Sequence, residues 1–166
     1  MDGLSKKEIE IISWLEFYKK YFFTSADVDK FTSDKTQRYN IIKNLLKKKR
    51  IIKLNKTKYY LIPIKAKSGS WSEDTFILTD EIMNGTDYQI AGWAAANYWR
   101  LTDQIPMQID VYTTKKQGKM SLLNTKIIFH RTTKKRLKNS CAQKISGHTF
   151  QIQTKEASKE WMKSRN

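Results

Sequence analysis

Apolar residues near the start of the chain recur at helical spacing, with Ile11, Leu15, Tyr18 and Phe22 on one face. Ser5, followed three residues later by Glu8, gives a capping-box start, so the pattern predicts a helix from there to about Tyr21. Trp14 and Phe17 widen its apolar surface beyond one stripe. Thr24 or Ser25 then caps a short second helix over Ala26–Lys30, with Asp27 in its first turn. Thr32 and Ser33 form a turn, and Ser33 is the expected cap of a third helix burying Ile41, Ile42, Leu45 and Leu46. Ile51–Leu54 and Tyr59–Ile62 read as two strands joined by the polar turn Asn55–Lys58, with Pro63 as terminator. Three helices followed by a hairpin is the element order of a winged helix-turn-helix.

Lys65–Ser72 (KAKSGSWS) is small, polar and linker-like, which places a domain boundary between residues 66 and 67. Beyond it the pattern predicts a helix over Asp74–Met83, a break at Asn84-Gly85-Thr86, and a helix from Tyr88 to about Arg100. Ala91, Gly92, Ala94, Ala95 and Ala96 make that second helix a close-packing surface. Residues Leu101–Pro106 read as a loop, in which Asp103 is expected to bond backbone amides. Met107–Thr113, Lys126–Arg131 and His148–Thr154 read as strands, Lys115–Lys119 as a basic turn, and Glu156–Lys163 as a closing helix. The expected fold class is therefore α+β: an N-terminal winged helix-turn-helix over 1–66, then a small mixed α/β domain over 67–166.

Charge changes the picture from fold to partner. The net charge of the 166-residue chain is +16, with 32 basic against 16 acidic side chains. Residues 1–66 hold 16 basic and 7 acidic groups (+9), and residues 67–166 hold 16 and 9 (+7), so both halves are basic. Between Asp34 and Lys58 there are ten basic residues and no acid other than Asp34 itself; from Val111 to Lys155 there are eleven and none. Such excess repels itself in a compact fold and calls for a polyanionic partner. A hydrophobic content of 39% provides for a packed core and excludes a disordered polyelectrolyte. A single cysteine, Cys141, excludes an internal disulfide. No apolar run approaches the roughly 20 residues of a membrane span. The charged N-terminus is unlike a signal peptide, and a cytoplasmic protein is expected.

The third helix is the candidate reader of double-stranded DNA. Ser33, Lys35, Thr36, Gln37, Tyr39 and Asn40 lie toward its start, where base edges would be met, and Asn or Gln pairs bidentately with adenine. Lys43 and Lys47 lie farther along, suited to phosphates, and Lys56 and Lys58 sit on the hairpin turn. Lys48, Lys49 and Arg50 also suit the negative end of the helix dipole. In the second half, Lys115, Lys116 and Lys119 form one candidate cluster; Arg131, Lys134, Lys135, Arg136 and Lys138 form another. Trp71, Trp93, Trp99 and Trp161 are possible base-stacking platforms, although Trp93 and Trp99 sit among alanines and read as core.

The segment GTDYQIAGWAAANYWRLTDQIPMQIDVYTTKK, residues 85–116, resembles the AbiEi-type antitoxins of type IV toxin–antitoxin systems. The matching positions are Tyr88, Ile90, Gly92, Ala95, Leu101, Thr102, Asp103, Gln104 and Pro106. Leu45, Leu46, Ile51, Tyr59, Tyr60, Leu61 and Pro63 fit the end of the family's winged helix, so the resemblance covers roughly residues 35–155. It implies a promoter-binding autorepressor that counters a nucleotidyltransferase-like toxin without a stable complex. The family carries glycine at the turn after helix three; here Arg50 stands there and is expected to take left-handed geometry.

Enzyme motifs are missing. There is no glycine-rich phosphate loop, no G-x-S-x-G, and no Asp/Glu-x-Lys of the nuclease kind. His130 and His148 lack metal-ligand spacing, so neither a metal nor a cofactor is expected. The alternatives are an architectural DNA- or RNA-binding protein without sequence preference, a nucleic-acid-processing enzyme, which the missing motif disfavours, and a protein-interaction module should helix three be buried by the second domain.

Overall fold

A computed structural model describes residues 3–64 and 73–165. The expected linker, the boundary at 66/67 and Trp71 lie outside these described residues. The chain divides into two units, Met1–Trp71 and Ser72–Asn166, and is a mixed α+β protein with two sheets.

The first unit begins with α1 (Lys6–Phe17), started by the Ser5/Glu8 capping box. The expected run to Tyr21 does not occur. Lys19 takes a φ of 52° and its amide and that of Lys20 return to Glu16 and Leu15, closing the helix. Tyr18 is therefore exposed, and Phe22 enters the short strand β1 (Phe22–Thr24) that periodicity missed. Thr24 caps α2 (Ser25–Val28), its backbone and hydroxyl both bonded to Asp27. Next come α3 (Lys35–Lys47), β2 (Ile51–Lys53) and β3 (Lys58–Leu61). The sheet is antiparallel in the order β1-β3-β2, with Ile52 opposite Tyr60 and Tyr60 opposite Phe22. Ile11, Ile12 and Leu15 of α1 meet Ile41, Ile42 and Leu45 of α3 over Phe23, Val28, Ile51 and Leu61. Leu46 only borders this core.

The second unit opens with α4 (Thr75–Met83), whose N-cap Asp74 accepts from the amides of Phe76 and Ile77. The expected long helix from Tyr88 is two elements: β4 (Tyr88–Ala91) and α5 (Gly92–Tyr98). All four β4 residues are buried, so no alternation betrays the strand. Gly92 turns the chain at a φ of 63°, and a Cβ there would stand 3.1 Å from Asp110 Oδ2, so any side chain would be strained and would press on Asp110. The sheet continues with β5 (Ile109–Thr113), β6 (Gly118–Leu122), β7 (Thr125–Arg131), β8 (Ser140–Ile145) and β9 (His148–Gln153), with α6 (Lys134–Leu137) and α7 (Lys155–Lys163) attached.

Its strand order is β6-β7-β5-β4-β9-β8, parallel at β5/β7 and β4/β9 and antiparallel elsewhere. Ile90, Val111, Ile127, Phe129, Phe150 and Ile152 form its buried centre. In the Leu101–Pro106 loop the organising side chains are Asn97, which donates to the carbonyls of Thr102 and Gln104, and Thr102, which accepts from the Gln104 amide. Asp103 is exposed and makes none of these bonds. Among the described residues no helix is long and apolar enough to cross a membrane.

Candidate nucleic-acid interface

Helix α3 is anchored by its apolar side and leaves a polar row free. Lys35, Tyr39, Lys43 and Lys47 follow each other at four-residue steps, and Thr36 and Asn40 flank them; all six are exposed. Tyr39 is 66% exposed, a large aromatic without a packing role. No acid occurs within α3. Its N-cap is Asp34, which accepts from the Thr36 amide at 2.8 Å, and not Ser33, which lies one residue outside and is exposed. Asp34 wins because its carboxylate both bonds the amide and meets the positive end of the dipole.

Two neighbouring residues of α3, Gln37 and Arg38, are partly committed within the fold. The carboxamide oxygen of Gln37 accepts a bond from the Thr32 hydroxyl, leaving its NH₂ as donor. Arg38 is ion-paired with Asp29, which ties α3 to the end of α2. The far end of α3 is structural. Lys48 reaches Glu8 at 2.7 Å and the Gly3 carbonyl at 2.9 Å, and the Arg50 guanidinium donates to the Ile62 carbonyl. The left-handed residue is Lys49, with φ 54°, and not Arg50. The amides of Lys49 and Arg50 bond the carbonyls of Leu46 and Leu45, a Schellman closure without glycine.

Glu8 is 1% exposed. Burial pushes its carboxyl upward, yet the bonds from Lys48 and from Ser5 together outweigh this and hold it below the ordinary value. Asp27 is likewise lowered: burial opposes, and Lys20 and Thr24 prevail.

The hairpin turn is fastened by Asn55, whose Oδ1 accepts from the Thr57 amide, the Thr57 hydroxyl and the Lys58 amide. This presents Lys56 exposed at the tip. Lys58 stands at the root of β3, opposite Thr24, and is only half-exposed.

The second-unit cations divide by use. Lys115 donates to the carbonyls of Met83 and Thr86 and to the Thr86 hydroxyl at 2.8–3.0 Å, clamping the turn after α4. Lys116 lies 3.7 Å above the Phe129 ring, and burial depresses its pKa. Lys116 is half-buried, whereas Lys115 is exposed with its ammonium group already engaged by the Met83 and Thr86 oxygens. Lys119 lies in edge strand β6 opposite Ile128, outside any turn, and is exposed. Arg131, Lys134, Lys135, Arg136 and Lys138 are exposed at the end of β7 and around α6.

His130 pairs with Asp110 at 2.8 Å and His148 with Asp80 at 2.9 Å; Asp80 also accepts from the Tyr88 hydroxyl at 2.7 Å. Burial, then Asp80, push the Tyr88 hydroxyl well above its ordinary pKa, so it stays a donor. Trp99 donates its indole N–H to the Gln153 carbonyl, and Trp93 packs edge-on against Trp161. No group of three or more His, Cys, Asp or Glu suited to a metal ion occurs among the described residues. No protein-family model matches the chain, and no curated protein matches it in sequence.

Proposed function

We propose that the first unit works as a winged helix-turn-helix and that the protein is a sequence-specific DNA-binding transcriptional repressor. The observation that carries this reading is the exposed, acid-free row Lys35, Thr36, Tyr39, Asn40, Lys43 and Lys47 on one side of α3. With that row in the major groove, Asn40 reads adenine and Lys35 a guanine edge. Gln37 contributes only its NH₂ donor. Lys43 and Lys47 hold phosphates, and Lys56 reaches the neighbouring backbone from the hairpin tip. Lys58, set back in β3, contributes less. From the resemblance in residues 85–116 we further propose autoregulation of a type IV toxin–antitoxin operon in the cytoplasm. There the protein neutralises a nucleotidyltransferase-like toxin without a stable complex.

The test is binding to the DNA upstream of its own gene against a scrambled duplex, at about 50 and 200 mM salt. A preference on the order of 10³ or more is expected. Asn40→Ala should cut that preference by roughly ten- to a hundredfold. Lys43→Ala should weaken both duplexes alike and lower the salt slope by about 1. Equal binding that collapses with salt would sink the repressor. It would favour the architectural DNA- or RNA-binding reading, which the exposed Lys119, Arg131, Lys134 and Lys135 also suit.

A further inference from the structure

The second unit holds a cavity of about 260 Å³ lined by Gln89, Tyr112, Arg136, Asn139, Gln153 and Trp161. Strand register assembles one wall: Gln89 of β4 lies directly opposite Tyr112 of β5, and Tyr112 lies beside His130 of β7. The Tyr112 and His130 rings stack at 5.0 Å and 26°, and Asp110 fixes His130 in turn. Trp161, on α7, is braced by Trp93 edge-on at 5.2 Å and covered by Arg165 at 5.4 Å. Two aromatic rings are thus held in place at one cavity.

The amides are the telling part. Gln89 is 4% exposed, and its Oε1 has no hydrogen-bond partner among the described residues; the Oε1 of Gln153 is buried and unpartnered as well. A buried polar atom left unpaired costs about 1–3 kcal/mol. Two of them lining the same cavity call for a donor that the fold does not supply. Water alone would satisfy the oxygens. It would give no reason for two positioned rings or for Arg136, which stands exposed at the rim with no carboxylate partner among the described residues. A planar heterocycle with an exocyclic amino group uses all three features. Its NH₂ donates to the glutamine oxygens, its face lies against an aromatic ring, and its phosphate meets the guanidinium. The cavity is smaller than the roughly 300 Å³ at which sites for drug-sized ligands begin, which limits the occupant to one base.

We propose that this cavity binds a single nucleobase bearing an exocyclic amino group, with Gln89 and Gln153 reading the amino group and Arg136 holding the attached phosphate. The base belongs either to a free nucleotide or to a single strand that inserts it. The site does not depend on DNA binding by α3.

Calorimetric titration of the full chain with AMP, CMP and UMP, and with five-residue oligomers of A, C and U, tests this. AMP or CMP should bind at least about tenfold more tightly than UMP, because uracil has no amino group to donate. Binding by the mononucleotide as well as the oligomer assigns a free nucleotide; binding by the oligomer alone assigns a strand. Gln89→Leu keeps the volume and removes the unpaired amide, so it should fold, with a Tm no lower than the parent, and lose the preference over uracil. Arg136→Ala, on the exposed rim, should weaken the preferred ligand about tenfold and carries the test if the Leu variant does not fold. No binding of any probe at about 1 mM, equal binding of UMP, or binding indifferent to both variants would overturn the proposal.

Discussion

Among the described residues, three helices end on a basic residue in left-handed geometry: Lys19, Lys49 and Arg100, with φ of 52°, 54° and 54°. Each sits where glycine is the usual choice, and a side chain in that region costs about 1–2 kcal/mol. The closing bonds persist because they satisfy carbonyls that the helix cannot, as at Leu45 and Leu46. Lys49→Gly should therefore raise stability by about 1 kcal/mol, after the flexibility glycine adds to the unfolded chain, measurable by urea denaturation. The same residues explain why helix ends were hard to read. Starts carried signatures, Ser5 with Glu8 and Asp74 among them, whereas lysine at a stop looks like lysine on a face. That is why the first helix is expected to run past Phe17 and why the strained position after α3 is expected one residue late.

Elements in the first unit are joined by two carboxylates. Glu8 ties α1 to the end of α3 through Lys48, and Asp27 ties α2 to the chain before β1 through Lys20. Both are held below their ordinary values of 4.5 and 3.8. Because the folded values are lowered, the stability they confer is complete above the ordinary values and is lost as pH falls through the folded ones. Circular dichroism should show the first unit losing stability only below about pH 4.5. Glu8→Ala should cost about 3 kcal/mol at neutral pH, by leaving the Lys48 ammonium with the Gly3 carbonyl but no counter-charge, and flatten that acid limb.

Elements with a single strong period, α3 above all, were legible, and with α3 came the exposed row proposed to meet DNA. Strand β4 is hidden because all four residues are buried, while β6 and β8 are hidden because neither has a fully buried position to set up an alternation. The amide-lined cavity had no signature at all. Its six residues come from five segments, Arg136 and Asn139 sharing one, and only the sheet register brings Gln89 to Tyr112.

At the scale of the whole molecule, a net charge of +16 works against compactness. Added salt screens that repulsion, so raising NaCl from about 50 to 500 mM should raise Tm by a few degrees, followed by differential scanning fluorimetry. The direction is opposite to that expected for binding to nucleic acid, which salt weakens. Folding and binding can therefore be separated by one variable, and a Tm that fell with salt would show that attractive pairs such as Glu8–Lys48 dominate.

The six-stranded sheet is open at both sides, with β6 at one edge and β8 at the other. Each edge carries an exposed lysine, Lys119 or Lys144. An unpaired strand is a template for another copy's strand, and like charges are what keep two such edges apart. The lysines thus act as guards of colloidal stability. Their protection thins at the ionic strengths that firm up the fold, so the most heat-resistant solution of this protein is also the one in which its sheets are freest to join edge to edge.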